Sequence, residues 1–175
     1  MTATVLLAHG ASGTAASMAP HVGGLRRRGI EARAVSLPRG SVERAIPVYQ
    51  AAAPLETAAQ TIIGGHSFGG RVASLLAAQP DARYAGLILL SYPLHRPGLP
   101  DTWDARTVHW SRIDCPVLLL SGESDPFARI ELLRKAVTRL PEGELVTYPG
   151  VRHGIGPVLD DALDRIAAWV TLLPA

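Results

Sequence analysis

The sequence predicts a three-layer α/β/α sandwich on a mainly parallel sheet of about six strands. Short apolar runs alternate with longer stretches of helical periodicity along the whole chain. Most of those runs are apolar on both sides, as in strands covered by helices on both faces. A third observation is local. The β-branched run Thr61-Ile62-Ile63 ends in Gly64 and Gly65, passes through His66-Ser67-Phe68-Gly69-Gly70, and turns helical, with Val72, Leu75 and Leu76 on one side. At 175 residues a single domain spanning 1–175 is expected, long enough to bury a core.

The elements follow in order. Thr4 to Ala8 reads as a buried strand, and His9-Gly10-Ala11-Ser12-Gly13 as the loop after it. Residues 14–28 are helical, with Met18, Val22 and Leu25 facing inward and Gly29 as the stop. Ile30 to Val35 forms the next strand and Pro38-Arg39-Gly40 a turn. The alanine-rich stretch 41–59 is mostly helical, with Pro47 and Pro54 breaking or starting segments. The helix after Ser67 reaches about Gln79, and Ala85 to Leu90 is another buried strand. Residues 92–115, rich in proline, tryptophan and histidine, read as irregular. Pro116 to Ser121 is a strand, about 128–139 a helix, and Leu145 to Tyr148 the last strand. A closing helix over 158–172 carries the stripe Leu159, Leu163, Ile166 and Val170.

Composition narrows the function classes. With 47% hydrophobic and 18% charged residues the chain is globular, not disordered. Its net charge is +2 and its pI near 9.0, but the arginines are scattered apart from Arg26-Arg27-Arg28 at a helix end. Cations suit that end of the helix dipole, so no nucleic-acid partner is read from them. Cys115 is alone and precludes an intramolecular disulfide. No leader-like n-region and h-region begins the chain, and no apolar run approaches the roughly 20 residues that span a bilayer. A soluble cytoplasmic protein is expected, with no membrane partner. It is a monomer or, through an edge strand near 30–35, a homodimer.

The Gly65-His66-Ser67-Phe68-Gly69 turn carries the chemistry. A serine nucleophile at the tip of a very tight strand-to-helix turn needs neighbours without Cβ atoms two positions to either side. It also gains from the unpaired N–H groups and positive end of the helix that follows. A glycine-rich turn that only packs closely is the plainer reading. A phosphate-cradling P-loop fails, because the Gly-x4-Gly-Lys pattern is missing and no lysine lies nearby.

A serine nucleophile needs a base, and the base needs a carboxylate to hold its tautomer. Downstream, Asp125 follows the strand ending at Ser121, and His153 lies between glycines after the last strand. Both fall at carboxyl ends of strands, where sites form in such sheets. Each has an ordinary alternative: Asp125-Pro126 could start the next helix, and His153 could be a surface-loop histidine. Glu123 competes for the carboxylate role, whereas Asp114 lies at the wrong end of its strand. The order Ser, Asp, His at three matching strand ends favours the joint reading. An oxyanion hole would use the N–H groups of Phe68 and of Ala11, with Ser12 its neighbour. His9 is expected to support its loop, and His66 to be structural. No His/Cys/acid spacing points to a metal or other cofactor.

At these residues the chain resembles the α/β-hydrolases, over essentially its whole length. Within them it looks like the small dienelactone-hydrolase-like branch. The stretch Ser91-Tyr92-Pro93-Leu94-His95-Arg96-Pro97-Gly98-Leu99-Pro100 resembles the testis-expressed and histone-acetyltransferase-complex-subunit type of that branch. The resemblance implies Ser67 as nucleophile, Asp125 as acid, His153 as base, and ester, thioester or amide hydrolysis without a cofactor. It implies a truncated fold beginning at the family's third strand. Residues 92–115 are too short and too broken by proline for a helical cap, so a shallow site is expected. Where dienelactone hydrolases proper have a cysteine nucleophile, this chain has Ser67, and their substrate does not carry over. The expected function is esterase-like hydrolysis of a small acyl substrate, with Ser12, Tyr92, Leu94 and Trp103 as candidate pocket residues. A non-catalytic scaffold subunit on the same fold, and an acyltransferase on the same residues, are the alternatives.

Overall fold

The structure is a computed structural model and describes residues 3–174. Six strands form one sheet: β1 (Thr4–Ala8), β2 (Ala32–Val35), β3 (Thr61–His66), β4 (Gly86–Leu90), β5 (Val117–Gly122) and β6 (Gly143–Tyr148). Their order is β2-β1-β3-β4-β5-β6, and every pairing is parallel. From β1, one strand in from the edge, the chain moves outward to β2, then returns to β3 on the other side of β1. That reversal leaves a crevice between the carboxyl ends of β1 and β3, the usual place for a ligand in such a sheet.

The helices are α1 (Ala19–Arg27), α2 (Val42–Ala52), α3 (Phe68–Ala77), α4 (Trp103–Thr107), α5 (Ile130–Val137) and α6 (Leu159–Leu172). Strand residues alternate between two cores. Leu6, Ile63, Leu87, Leu89 and Leu119 face α2, α3 and α5, whereas Val5, Leu7, Ile62, Ile88 and Leu118 face α1 and α6. Both faces of the four inner strands, β1, β3, β4 and β5, are buried because both are covered, so their apolar runs show no period of two. Each large apolar side chain buried this way contributes roughly 1.5–3 kcal/mol.

Two segments differ from expectation. Pro47 lies inside α2 and does not break it. It sits on the exposed side with Glu43, so the carbonyl it leaves without an intrahelical donor can face water. The helix is held instead by its start, where Ser41 Oγ accepts the Arg44 N–H at 3.2 Å. It is also held by Tyr49, whose buried hydroxyl lies 2.7 Å from Leu6 O and accepts the Gly64 N–H at 2.9 Å. The stretch read as irregular, 92–115, holds a run of short helical turns from Pro100 to Arg112, including α4. It packs as part of a layer. Trp110 is fully buried with its ring 5.0 Å from that of Tyr92, and His109 Nε2 meets Ser74 Oγ of α3 at 2.9 Å. Prolines there start turns and leave the helical pieces too short to show a 3.6-residue period.

Candidate active site

At the end of β3 the chain turns sharply at Ser67, whose φ of 49° and ψ of −112° lie where a residue with a side chain is strained. The surroundings hold it there. The Ser67 N–H donates to Leu90 O at 2.9 Å, extending the sheet ladder by one residue, and Arg71 N–H donates to Ser67 O at 3.0 Å, opening α3. The turn is as tight as the motif demands. A Cβ on Gly65 would stand 2.5 Å from Ala8 O, and one on Gly69 would stand 2.5 Å from the same atom.

His153 reaches this serine from the loop after β6. Its Nε2 lies 2.9 Å from Ser67 Oγ and its Nδ1 2.8 Å from Asp125 Oδ2. Asp125 is buried, and an ionised carboxylate can only accept, so Nδ1 carries the proton and Nε2 is left to accept from the Ser67 hydroxyl. The other carboxylate oxygen of Asp125 accepts the Phe127 N–H at 2.8 Å. Asp125 thus builds its own loop with one oxygen and meets the histidine with the other; α5 itself begins five residues later, after Arg129. Glu123 points elsewhere, towards Thr147 Oγ1 at 2.7 Å and Arg134.

The loops bearing Asp125 and His153 are laced together. Ser124 N–H donates to Val151 O at 2.9 Å and Glu123 N–H to Tyr148 O at 3.0 Å. Gly122 permits this, since a Cβ there would collide with the carbonyls of Val151 and Arg152. The Phe127 ring packs on His153 at 4.5 Å, and His66 lies on the same ring at 5.2 Å. Burial, reinforced by His153 and His21, pushes His66 down to about 4, so it is neutral at physiological pH.

A cavity of about 420 Å³ opens beside Ser67 and His153, walled by the 10–13 loop, Ser17, His66 and Phe127. Ala11 and Ser12 therefore border it. Among the described residues no protein acceptor takes the Ala11 or Phe68 N–H. Phe68, next to Ser67, is the first residue of α3, and Ala11, in the turn after β1, lines the same cavity as Ser67. His9 stands behind that loop, with Nε2 accepting the Leu37 N–H at 3.0 Å.

The other candidate pocket residues are not brought to the cavity. Tyr92 and Leu94 are buried in the core under α3, and the Tyr92 hydroxyl donates to Arg106 O at 2.7 Å. Trp103 lies against the guanidinium of Arg139, 4.3 Å from the ring centroid. The cavity instead follows the 10–17 side of Ser67. Phe127, Gly122 and Ser91 are neighbours of the site that sequence reasoning passed over, and His66, expected to be structural, walls the cavity. Only Gly122, a glycine directly after a strand, carried a readable signal.

No group of three or more His, Cys, Asp or Glu among the described residues is placed to hold a metal ion. Among the described residues no helix is long and apolar enough to cross a membrane.

Several solved structures of similar architecture are lipases or esterases by name. A monoacylglycerol lipase from Paleococcus ferrophilus superposes with a TM-score of 0.82 at 18% identity, over 95% of this chain and 93% of that one. Est1E from Butyrivibrio proteoclasticus with ferulic acid bound gives 0.79 at 16% identity, over 97% and 88%. A thermophilic esterase from Thermogutta terrifontis with propionate bound gives 0.73 at 18%, over 99% and 85%. At such identities the likeness is one of fold. The family model described as "Alpha/beta hydrolase domain" matches residues 40–159, and the chain belongs to that family.

Proposed function

We propose that this chain is a serine hydrolase that cleaves small acyl esters or thioesters through an acyl-enzyme on Ser67. The observation that carries the reading is the position of His153, whose two ring nitrogens lie within hydrogen-bond distance of Ser67 Oγ and Asp125 Oδ2. As the Ser67 oxygen attacks the acyl carbon, His153 Nε2 takes its proton, and Asp125 stabilises the imidazolium that results. The Phe68 and Ala11 N–H groups, with the N-terminal end of α3, receive the charge on the tetrahedral oxygen. The imidazolium then protonates the leaving oxygen or sulfur. Water, deprotonated by the same ring, releases the acid and restores Ser67.

The neighbours support this class of substrate by what they hold: ferulic acid in one, propionate in another. The open cavity of about 420 Å³ suits a short or exposed acyl group. The resemblance of Ser91 to Pro100 to the testis-expressed type of the dienelactone-hydrolase-like branch points to the same small, uncapped hydrolases.

The test is to react the protein with a fluorophosphonate probe and weigh it, beside Ser67→Ala and His153→Ala. A single adduct on the wild type, lost in both variants, is expected. A folded protein that takes no adduct would overturn the reading and favour a scaffold role.

A further inference from the structure

We infer that the substrate carries a hydroxyl group on the part that fills the cavity beside Ser67, recognised by His66 and Ser17; the inference rests on the hydrolase reading above. The side chains on the cavity wall are those of serine, histidine and alanine, with Phe127 the one large apolar group and no leucine, isoleucine, valine or methionine. Pockets for alkyl or aryl groups are walled mainly by such apolar side chains. The wall also holds no carboxylate, lysine or arginine. His66 adds no charge at physiological pH, because burial, then His153 and His21, oppose its protonation. Neither an alkyl chain nor an ion finds its natural partner here. A neutral group that hydrogen-bonds does.

Two polar atoms on that wall are kept bare. His66 Nε2 is enclosed without a hydrogen-bond partner, so the nitrogen left for a ligand is Nδ1, on the ring edge that faces Gly10. Ser17 Oγ donates to Thr14 O at 2.6 Å, which uses its one proton and leaves its lone pairs to accept. The loop after β1 has a glycine against each atom. A Cβ on Gly10 would stand 2.8 Å from His66 Nδ1 and 3.7 Å from Ser67 Cβ, and one on Gly13 would stand 2.6 Å from Ser17 Oγ. A side chain at either position would press on the atom that a ligand meets. Imidazole and nucleophile therefore border one space, with Ser17 on the same cavity wall.

These two atoms set the complementary group. Ser17 Oγ needs a donor. A neutral imidazole donates from one nitrogen and accepts at the other, and a hydroxyl answers Nδ1 in either tautomer. One hydroxyl, or two on neighbouring carbons, can serve both residues. A ketone or an ether cannot donate to Ser17, and an alkyl group pairs with neither. An alkyl group in this space would also exclude water and leave both atoms unpaired. Such a mismatch discriminates more steeply than a missing methylene does.

Two matched pairs test this, each exchanging a hydroxyl for a methyl of similar size. In methyl 3-hydroxybutanoate against methyl 3-methylbutanoate the hydroxyl is on the acyl chain; in 2-hydroxyethyl butanoate against propyl butanoate it is on the leaving group. With each rate divided by that for alkaline hydrolysis, the hydroxylated member of one pair is expected to be favoured roughly tenfold or more in kcat/KM. The preference should shrink about fivefold, the worth of one neutral hydrogen bond, in Ser17→Ala and in His66→Phe, and approach unity when the two are combined. Ser17 is exposed, so its variant keeps the fold. If His66→Phe does not fold, Gly10→Ala takes its place, since its methyl presses on Nδ1. Equal or reversed rates in both pairs, or a preference that survives the combined protein, overturn the inference and leave the hydrolase reading standing. If the wild type turns over none of the four esters, NMR titration of Ser67→Ala with the same esters decides. Tighter binding of a hydroxylated member, lost when Ser17→Ala is added, keeps the hydroxyl site while the hydrolase reading falls. Equal binding removes both.

Discussion

The Ser91 hydroxyl accepts a hydrogen bond from the Gly154 N–H at 3.0 Å, and both residues hold positive φ, 48° and 107°. Ser91 follows β4 as Ser67 follows β3: each is strained, and each gives its N–H to a carbonyl of the neighbouring strand, Leu120 O and Leu90 O. Ser91 is fully buried and its hydroxyl fixes the residue after His153. In the proposed mechanism it positions the His153 ring. Ser91→Ala strands a partly buried N–H at a cost of roughly 1–3 kcal/mol, which the loop can relieve only by moving His153. A drop in kcat of about tenfold is expected for a 4-nitrophenyl ester. Ser91→Gly should be as slow but at least as stable as Ser91→Ala, because glycine relaxes the positive φ. Full kcat in both variants would show that the tether is dispensable.

Asp125 has two jobs that one substitution can separate. In Asp125→Asn the side-chain oxygen can still accept the Phe127 N–H, so the loop and the fold are kept. The amide nitrogen then faces His153 Nδ1, and two donors cannot share that contact unless the ring changes tautomer. The changed tautomer puts a proton on Nε2 and removes the base. A fall of about 10⁴ in kcat is expected from the Ser-His-Asp template, with the melting temperature little altered. A loss under tenfold would mean that another group, Glu123 first, orients the ring.

Much of this was legible in residues. All six strands, their parallel pairing and the order Ser67, Asp125, His153 follow from apolar runs and the loops that end them. The pocket wall was not. Tyr92 and Leu94 sit in a segment whose proline, tryptophan and histidine content reads as irregular, yet both side chains pack in the core with α3. A polar handle such as the Tyr92 hydroxyl, satisfied by Arg106 O, looks the same in sequence whether it lines a cavity or a core. Ser91 was invisible for another reason: a strained φ in a residue other than glycine leaves no compositional mark.

The elbow's close packing makes a sharp contrast between two glycines. A methyl at Gly69 would meet Ala8 O at 2.5 Å, Ala8 C at 2.6 Å and His9 O at 2.7 Å, all backbone. None can rotate away, so α3 must lift from β1 and carry Ser67 with it. Gly69→Ala should lose roughly 1–3 kcal/mol or more, and most activity. Gly156 faces open space at an ordinary φ, and Gly156→Ala should stay within about 0.5 kcal/mol of the wild type. Urea unfolding of the pair decides. Equal stability would mean that β1 and α3 are not packed so tightly.

Acid should weaken the fold through two histidines, His109, which is buried, and His66, which is half-buried. Burial, first among its causes, pushes both His66 and His109 down to about 4 from the ordinary 6.5. Between those values the unfolded chain binds protons that the native chain refuses, so unfolding becomes easier as pH falls. Above about 6.5 neither ring contributes to the slope, and below about 4 both states are protonated and the contribution levels off. The gap sets a ceiling of roughly 3 kcal/mol for each ring. His109 offers the cleaner test, because it lies in the layer under α3 and away from the cavity. In His109→Asn the amide can keep the contact with Ser74 Oγ, now 2.9 Å from His109 Nε2, without titrating. Unfolding free energies at pH 7, 5.5 and 4.5 should then fall less steeply in the variant than in the wild type, even if the variant starts lower at pH 7. Parallel slopes would show that His109 accepts its proton in the folded protein as readily as in water, and that its burial carries no penalty on charging.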